Sequence, residues 1–430
     1  AKADLQQDED VLDTWFSSWL WPISVFDGIR NPENKEVDYY YPTQDLVTGP
    51  DILFFWVARM IMAGYTFRDK LPFSKVYLTG IVRDQKGQKM SKQLGNSPDA
   101  LGLIEEYGAD AVRVGLMLSS VAGNDLLFDE NLCKQGKNFA NKIWNAYRLI
   151  DGWKIDSKID QPIASKDAII CFDNTFNKAL ETINDYFEKY KISDALMTIY
   201  KLLWDDFCSW LLEVMKPDYG SSIDKVSIDQ IKHQFQKILK LLHPFMPFIS
   251  EEIWHIIKQR NISDSLVISS WPVFEKYDKI VLKNYENVKL IVGAVRNFRK
   301  ENNLRQRELL SLFYSNSKTI EFSEIISRLA QLDKVVFSDE NNQVKGGVFR
   351  IGTNEFFIPL DRKIDSKNEL NRINNELNHL EGFLNSILNK LSNSQFVKNA
   401  PNAVINLERK KASDTKEKIK NLKSRLKNIK

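Results

Sequence analysis

Between residues 370 and 391 the chain places Leu370, Ile373, Leu377, Leu380, Leu384, Ile387 and Leu391 at unbroken steps of three and four. A helix turning every 3.6 residues gathers such a series onto one narrow stripe, the seam of a coiled coil, which neither a strand nor a loop could use. The stripe stops in "SNSQFVKNAPNAV", where Pro401 interrupts the helix and permits a reversal. Apolar spacing resumes at Val404 and Leu407, then at Ile419, Leu422, Leu426 and Ile429. Residues 361–430 are therefore predicted to form an antiparallel coiled-coil hairpin that buries both stripes within one chain and favours a monomer. Residues 408–430 hold ten Lys/Arg against three Asp/Glu and no aromatic, so Arg409, Lys410, Lys411, Lys423 and Arg425 offer point charges without stacking partners. Such an arm suits sequence-independent phosphate contact, and a solvated outer face or a homodimer seam would have the same composition.

The rest of the chain must supply the other cores. At 430 residues, 43% hydrophobic and 27% charged, it is long enough for roughly three domains. The formal net charge is only +3, so affinity for nucleic acid has to come from local patches. Cys133, Cys171 and Cys208 lie far apart and form no metal-ligand spacing, which predicts no structural metal and fits a reducing cytoplasm. The most apolar run, "ILFFWVARMIMAGY", carries Arg59 in its middle and is too short to cross a bilayer.

Three regions of different texture precede the hairpin, giving a multidomain, mainly α chain. Residues 1–130 alternate short β-rich runs such as "KVYLTGIV" with apolar helical stretches, the α/β pattern of a mostly parallel sheet. Within it, Ser97 and Pro98 look like the N-cap and first residue of a helix that Gly108 stops. Residues 131–275 read as a helical bundle, with Leu196, Ile199, Tyr200, Leu203, Phe207, Trp210, Leu211 and Val214 on one face of a long helix. A helix over about 132–150 buries Phe139, Ile143, Ala146 and Ile150 and turns Lys134, Lys137, Asn141, Asn145 and Arg148 outward, a face that could follow a phosphate backbone or simply be solvated. Residues 276–360 combine one helix with four short strands, "LLSLFYS", "KVVFS", "GVFRIG" and "EFFIPL", as a small α+β connector.

The chemistry is concentrated in "GIVRDQKGQKMSKQLGN", residues 80–96, between a predicted strand and a predicted helix. Lys89 and Lys92 stand three apart on a segment with little apolar content to fix it from inside, which suits a mobile loop that closes on a polyphosphate. A Walker A cradle is excluded, because six residues separate Gly80 from Gly87 and Gln88 precedes the lysine. Fixed cations are nonetheless what phosphoryl chemistry requires, since charge builds on the phosphate oxygens in the transition state.

In its context "GQKMSKQLGN" resembles the KMSKS loop of class I aminoacyl-tRNA synthetases. "DVLDTWFSSWLWP", "LVTGPDILFFWVARMIMAG", "YLTGIVRD", "NFANKIWNAYRLI", "LLHPFMPFISEEIW" and "LSNSQFVKNAPNAV" resemble, in order, segments of the valyl-tRNA synthetase family along essentially the whole chain. The resemblance implies the second half of a Rossmann-type catalytic domain, a helical anticodon-binding domain, a connector and a coiled-coil tRNA-binding arm. It implies ATP as a substrate with Mg2+, activation of valine to its adenylate, and transfer to tRNA(Val). Carried over by position, Lys89 and Lys92 would hold the ATP phosphates. Gly49 and Asp51 would meet the ribose, Gly80, Val82, Met90 and Ser91 would border the nucleotide, and Trp15 and Trp56 would wall the valine pocket. The tRNA would lie along Lys134, Lys137, Arg148, Arg409, Lys410, Lys411, Lys423 and Arg425. An apolar pocket rejects threonine poorly, so the family edits at a second site.

Two departures qualify this. Gln93 stands where the family has serine, and no His-x-Gly-His element occurs, since His233, His243, His255 and His379 are all downstream and none is so paired. The chain alone is therefore expected to bind tRNA without aminoacylating or editing. A stand-alone RNA-binding protein and an isoleucyl homologue are the alternatives.

Overall fold

The computed structural model describes residues 6–91, 93–119, 124–315, 319–338, 346–360, 366–393 and 402–429; the side chains of 366–372, 376, 402, 403, 417, 418, 420, 421 and 424–429 lie outside that description. The chain divides into two units, Ala1–Val288 and Lys289–Lys430. It is mostly helical, with small sheets.

In the first unit, α1 (Thr14–Ser24) starts where the Asp13 carboxylate accepts the Phe16 N–H at 2.9 Å. After α2 (Lys35–Tyr40), β1 (Thr43–Thr48) leads through a 3-10 turn, Pro50–Ile52, into a π-helical segment, Leu53–Ala58, continued by α3 (Arg59–Arg68). β2 (Phe73–Leu78) then pairs with β1 in parallel, Asp45 opposite Lys75 and Val47 opposite Tyr77. Leu46, Val57, Met60 and Phe73 make the core between them, with Trp19, Trp56 and Ile61 packed against it. β3 (Val82–Arg83) pairs in parallel with β4 (Leu126–Leu127) and not with β2. The parallel sheet read from residues 1–130 is thus present as two separate two-stranded pieces among the described residues.

The helix after the lysine loop, α4 (Ala100–Tyr107), starts later than its sequence suggests. Its cap is Asp99, whose carboxylate accepts from the Leu101 and Gly102 amides at 3.2 Å each. One carboxylate there satisfies two orphan donors of the first turn, leaving Ser97 and Pro98 outside the helix. Gly108 ends α4 as expected, and α5 (Ala109–Ser119) follows.

α6 (Glu130–Asp151) buries Phe139, Ile143, Ala146 and Ile150, the stripe read from the sequence. β5 (Ile155–Asp156) precedes α7 (Ile163–Glu188), and α8 (Ile192–Lys201) runs on through a π-helical segment, Leu202–Leu211, into α9 (Leu212–Met215). The single long helix expected here is continuous, but its middle turns are widened: Ser209 Oγ donates to the Trp204 carbonyl, five residues back, at 2.9 Å. The wider turn lets Leu202 and Leu203 at one end, and Leu211 and Leu212 at the other, all be buried. β6 (Ile223–Asp224), α10 (Lys225–Leu242) and α11 (Pro247–Ile256) complete the bundle.

α5 is stapled to α11. The buried Asp110 carboxylate accepts from the Phe248 and Ile249 amides at 3.3 and 2.7 Å, and Arg113 donates to the carbonyls of Phe245 and Pro244 at 3.0 and 2.8 Å. An extended segment, residues 271–278, lies along α7, where Asn184, Asn177 and Asn174 accept from Trp271 Nε1, the Glu275 amide and the Asp278 amide at 3.0, 2.9 and 2.6 Å. It leads into α12 (Lys279–Glu301).

In the second unit all four apolar runs read as strands are strands. β7 (Leu310–Ser315), β8 (Leu332–Phe337) after α13 (Ser323–Ala330), β9 (Gly346–Ile351) and β10 (Asn354–Pro359) form one sheet in the order β8-β7-β10-β9. The buried Arg299 guanidinium closes the joints around it, donating to the carbonyls of Arg305, Glu308, Ala330 and Gln331 at 3.1, 2.7, 3.0 and 2.7 Å.

α14 (Ser366–Ser392) and α15 (Asn402–Ile429) pack together in opposite directions: Ile373 and Leu377, early in α14, meet Ile419, late in α15, and Leu380, Leu384 and Leu422 extend the seam. The stripe of α14 agrees with its spacing. That of α15 requires a correction, because Val404 and Leu407 are 40% and 53% exposed whereas Ile405, Glu408, Ala412, Thr415 and Ile419 are buried. In the first half of α15 the seam is shifted by one residue and holds a polar side chain at Glu408, with another at Thr415, whereas Ile419 and Leu422 lie in it as their spacing suggests. Pro401 lies outside the described residues, as do the side chains of Leu370, Leu426 and Ile429.

Candidate functional site

The lysine segment is built from the turn outward. Asp84, Gln85, Lys86 and Gly87 follow β3, and the Gly87 N–H donates to the Asp84 carbonyl at 2.9 Å with Gly87 at φ +78°, a conformation open to glycine without strain. The Asp84 carboxylate accepts from the Lys86 and Gln88 amides at 2.9 and 2.8 Å. The chain then returns antiparallel, Arg83 bridging to Lys89 and the Met90 N–H donating to the Val82 carbonyl at 3.1 Å. Residues 82–90 are thus a small hairpin with Lys89 on its returning arm.

Asn96 closes the hairpin from the far side. Its Nδ2 donates to Asp84 Oδ2 at 3.0 Å and to the Lys89 carbonyl at 3.3 Å, while its Oδ1 accepts the Ser91 N–H at 2.9 Å. Beneath, Arg83 is bonded to the Asp125 carboxylate and donates to the Gly87 carbonyl at 3.1 Å. Asn96, then the Gln88 amide, holds the Asp84 carboxyl below the usual carboxylate range, and Arg83 does the same for Asp125. The expectation that nothing fixes this segment from inside is therefore corrected: polar side chains replace the missing apolar core. The sequence signal was there, since Asp-x-x-Gly at 84–87 is a turn pattern in which the aspartate bonds its own backbone.

Lys89 points across to the segment after β1. Its Nζ lies 2.8 Å from Asp51 Oδ2, with the two side chains 59% and 56% exposed. An exposed pair of this kind is worth only about 0–1 kcal/mol, so an incoming anion could exchange for the carboxylate at little cost. Gly49, two residues before Asp51, has no heavy atom within 4 Å of where a Cβ would stand. Gly80 is the opposite case: a Cβ there would lie 1.7 Å from the Asn124 carbonyl oxygen, a backbone approach that excludes a side chain. Val82 is 37% exposed, and Met90 and Ser91 are half-buried.

The structure therefore brings Lys89, Asp51, Gly49, Gly80, Val82, Met90 and Ser91 onto two facing segments; Lys92 lies outside the described residues. Trp56 follows Asp51 on the π-helical segment and is half-buried, with Nε1 donating to the Ser18 carbonyl at 3.1 Å. Trp15, on α1, stacks on Phe55 with ring centroids 5.7 Å apart. Both tryptophans thus contribute to the joint between α1 and the π-helical segment. Sequence reading missed Arg83, Asp84, Asn96 and Asp125, which frame the hairpin without carrying its charge.

Lys134, Lys137 and Arg148 lie on the outer face of α6. Lys137 is already engaged, donating to the Glu106 carbonyl at 2.7 Å. On α15, Arg409 and Lys410 are exposed, Lys411 is paired with Glu408 at 2.7 Å and Lys423 with Glu381 at 2.7 Å. The Arg425 side chain lies outside the description.

Three family models match this chain in sequence order. They are tRNA synthetases class I (I, L, M and V) over residues 1–129, the anticodon-binding domain of tRNA ligase over 172–314, and the valyl tRNA synthetase tRNA binding arm over 365–430. The first of them covers the lysine hairpin and its facing carboxylate, so that part of the chain matches class I tRNA synthetases. The valine–tRNA ligase of Christiangramia forsetii is 51% identical over 430 residues, covering 99% of this chain and 49% of that protein. That of Parabacteroides distasonis is 50% identical over 421 residues, 98% and 48%, and that of Fusobacterium nucleatum 37% identical over 450 residues, 99% and 50%. The chain is thus homologous to valine–tRNA ligases over nearly its whole length and spans about half the length of the curated relatives it matches. Among solved structures, a LeuRS–tRNA–LeuAMS ternary complex from Agrobacterium radiobacter is similar at a TM-score of 0.47 and 17% identity, covering 72% of this chain and 36% of that one.

Proposed function

We propose that this chain is the part of a valine–tRNA ligase that carries its phosphate-binding loop, anticodon-binding bundle and tRNA-binding arm. The domains run 1–130, 131–275, 276–360 and 361–430: half of a Rossmann-type catalytic domain, the bundle, the connector and the antiparallel coiled coil. The observation that supports this best is the Lys89–Asp51 pair at 2.8 Å, because it sets a cation from the lysine loop against a carboxylate from the segment after β1. In the complete protein a valine carboxylate oxygen attacks the α-phosphorus of ATP and the bond to pyrophosphate breaks. A terminal ribose hydroxyl of tRNA(Val) then attacks the valyl carbonyl carbon and AMP leaves.

Lys89 and Lys92 neutralise the phosphate oxygens as charge develops on them. Asp51 accepts from the ribose hydroxyls, with the open space beside Gly49 admitting the sugar, and Gly80, Val82, Met90 and Ser91 flank the base and loop. Trp15 and Trp56 contribute apolar surface to the valine pocket. Mg2+ accompanies the nucleotide. Among the described residues no group of three or more His, Cys, Asp or Glu could hold an ion, and Asp51, Asp84 and Asp125 are engaged by Lys89, Asn96 and Arg83. The described side chains therefore offer no magnesium site of their own.

The chain by itself binds tRNA through Lys134, Lys137, Arg148 and the arm residues Arg409, Lys410, Lys411, Lys423 and Arg425, and neither aminoacylates nor edits. No helix of the described residues is long and apolar enough to cross a membrane. The proposed setting is the cytoplasm and the proposed state a monomer. Valine-dependent exchange of pyrophosphate into ATP is the test: the complete gene product should perform it, and this chain alone should not. Affinity of this chain for tRNA should fall steeply with salt and weaken when residues 361–430 are removed. Unchanged affinity after that truncation would remove the arm from the interface.

A further inference from the structure

The turn between α7 and α8 holds a side chain that the reaction above does not use. Tyr190 lies there at φ +57°, the left-handed region that bulky residues rarely adopt and that glycine would enter freely. Its side chain reaches the sheet formed by β1 and β2. The hydroxyl donates to the Asp45 carboxylate, the ring lies 5.6 Å from that of Tyr77, and the Lys75 ammonium stands 5.3 Å over the ring. Asp45 and Lys75 are direct partners across β1 and β2, and Tyr77 is two residues further along the same face. A neighbouring residue secures the same turn to α5, Ser193 Oγ donating to the Leu118 carbonyl at 2.9 Å.

What Tyr190 grips is the strand that delivers Asp51. From Asp45, β1 runs to Thr48, whose carbonyl accepts the Thr79 N–H at 2.9 Å, and the chain passes directly through Gly49 and Pro50 to Asp51 opposite Lys89. β1 is paired with β2 from Thr43 to Thr48, so only Gly49 and the start of a short 3-10 turn separate the held strand from Asp51. The lysine side of the site is fixed by its own clasp, Asn96 on Asp84, which leaves β1 as the side to be set from elsewhere.

The geometry points to Tyr190 as a positioning residue for the nucleotide site: from the turn of the helical bundle it holds β1 in place and thereby sets Asp51 against Lys89. This rests on the reading of Asp51 as a ribose-binding residue. It also makes the bundle a mechanical part of ATP binding, so that a disturbance of the α7–α8 turn is felt in the activation step before any tRNA is present.

The test measures KM for ATP and for valine in pyrophosphate exchange by the complete gene product, with thermal unfolding alongside. Tyr190→Phe should raise the ATP KM by about threefold to tenfold, on the scale of one ordinary intramolecular hydrogen bond, and leave the valine KM and the unfolding midpoint in place. Asp45→Asn should do the same, and the double variant should be no worse than either single one, as groups acting through one bond require. Tyr190→Gly, which also relieves the backbone, should raise the ATP KM without lowering the midpoint; a merely structural tyrosine would lower the midpoint and leave the KM split unchanged. An unaltered ATP KM in Tyr190→Phe and Tyr190→Gly, or additive effects of Tyr190→Phe and Asp45→Asn, overturns the inference. Asp51→Asn separates the two levels. If it raises the ATP KM and Tyr190→Phe does not, the inference fails alone; if it leaves the ATP KM unchanged, the ribose assignment fails and takes the inference with it.

Discussion

Asn96 Nδ2 donates to Asp84 Oδ2 at 3.0 Å across the base of the lysine hairpin, joining a turn residue to one twelve positions later. The same amide group also bonds the backbone of Lys89 and Ser91, so one neutral side chain holds the returning arm of the hairpin on both sides of Met90. Asn96→Ala should therefore lower kcat of pyrophosphate exchange in the complete protein by roughly tenfold to a hundredfold while the valine KM stays put, because a misplaced cation no longer meets the developing charge. Wild-type kcat in that variant would exclude the clasp from catalysis.

The clasp has a pH signature. The Asp84 carboxyl is held below its usual range in the folded chain, so its share of stability is complete above the ordinary carboxylate value and disappears as pH falls through the depressed one. Amide exchange at Lys86 and Gln88, both bonded to Asp84, should be protected near neutrality and should accelerate selectively below about pH 4. Equal protection at both pH values would show that the turn stands without its carboxylate.

Removal of Lys89 separates stability from chemistry. Its pair with Asp51 is more than half exposed on both sides, so Lys89→Ala should change unfolding free energy by less than about 1 kcal/mol. Exchange activity of the complete protein should nevertheless fall by about a hundredfold or more, the usual loss when one preorganised stabiliser of transition-state charge is deleted. Calorimetry and pyrophosphate exchange on the same preparation would show both.

Asp110 shows the converse balance. Burial pushes its carboxyl up, a cost that the Phe248 and Ile249 amides and the nearby Arg113 partly offset. Asp110→Ala leaves two amides of the first turn of α11 without their acceptor and should cost about 1–3 kcal/mol in denaturant unfolding. A loss under half of that would mean water replaces the carboxylate.

The arm offers a register test. Ile387 is buried in α14 and Leu407 is exposed on α15, so Ile387→Ala should destabilise the hairpin by about 2–5 kcal/mol and Leu407→Ala should have almost no effect. Circular dichroism melts of the two variants would distinguish this seam from the one that apolar spacing alone suggests.

Much of this molecule was legible from residue order. The stripe of α14, the buried face of α6 and the four strands of the second unit follow from local periodicity, because burying one face of a regular element demands a fixed spacing. The lysine segment and its neighbours were legible for a different reason: their order resembles one family along the whole chain.

Tertiary structure decided the rest. The polar seam positions Glu408 and Thr415 could not be told from surface residues until α14 covered them. The π-helical turns at Leu202–Leu211 depend on what each widened turn packs against, and the start of α4 depended on which of three neighbouring residues could reach two free amides. Lys89 and Asp51 are 38 residues apart, and Tyr190 and Asp45 are 145 apart. No periodicity links such residues, because the energy that brings them together is spent in the cores of the helices and strands between them. Sequence alone singled out Lys89 as a cation with a phosphate-like partner to expect; the packing of those cores determined that it faces Asp51 and what holds that carboxylate there.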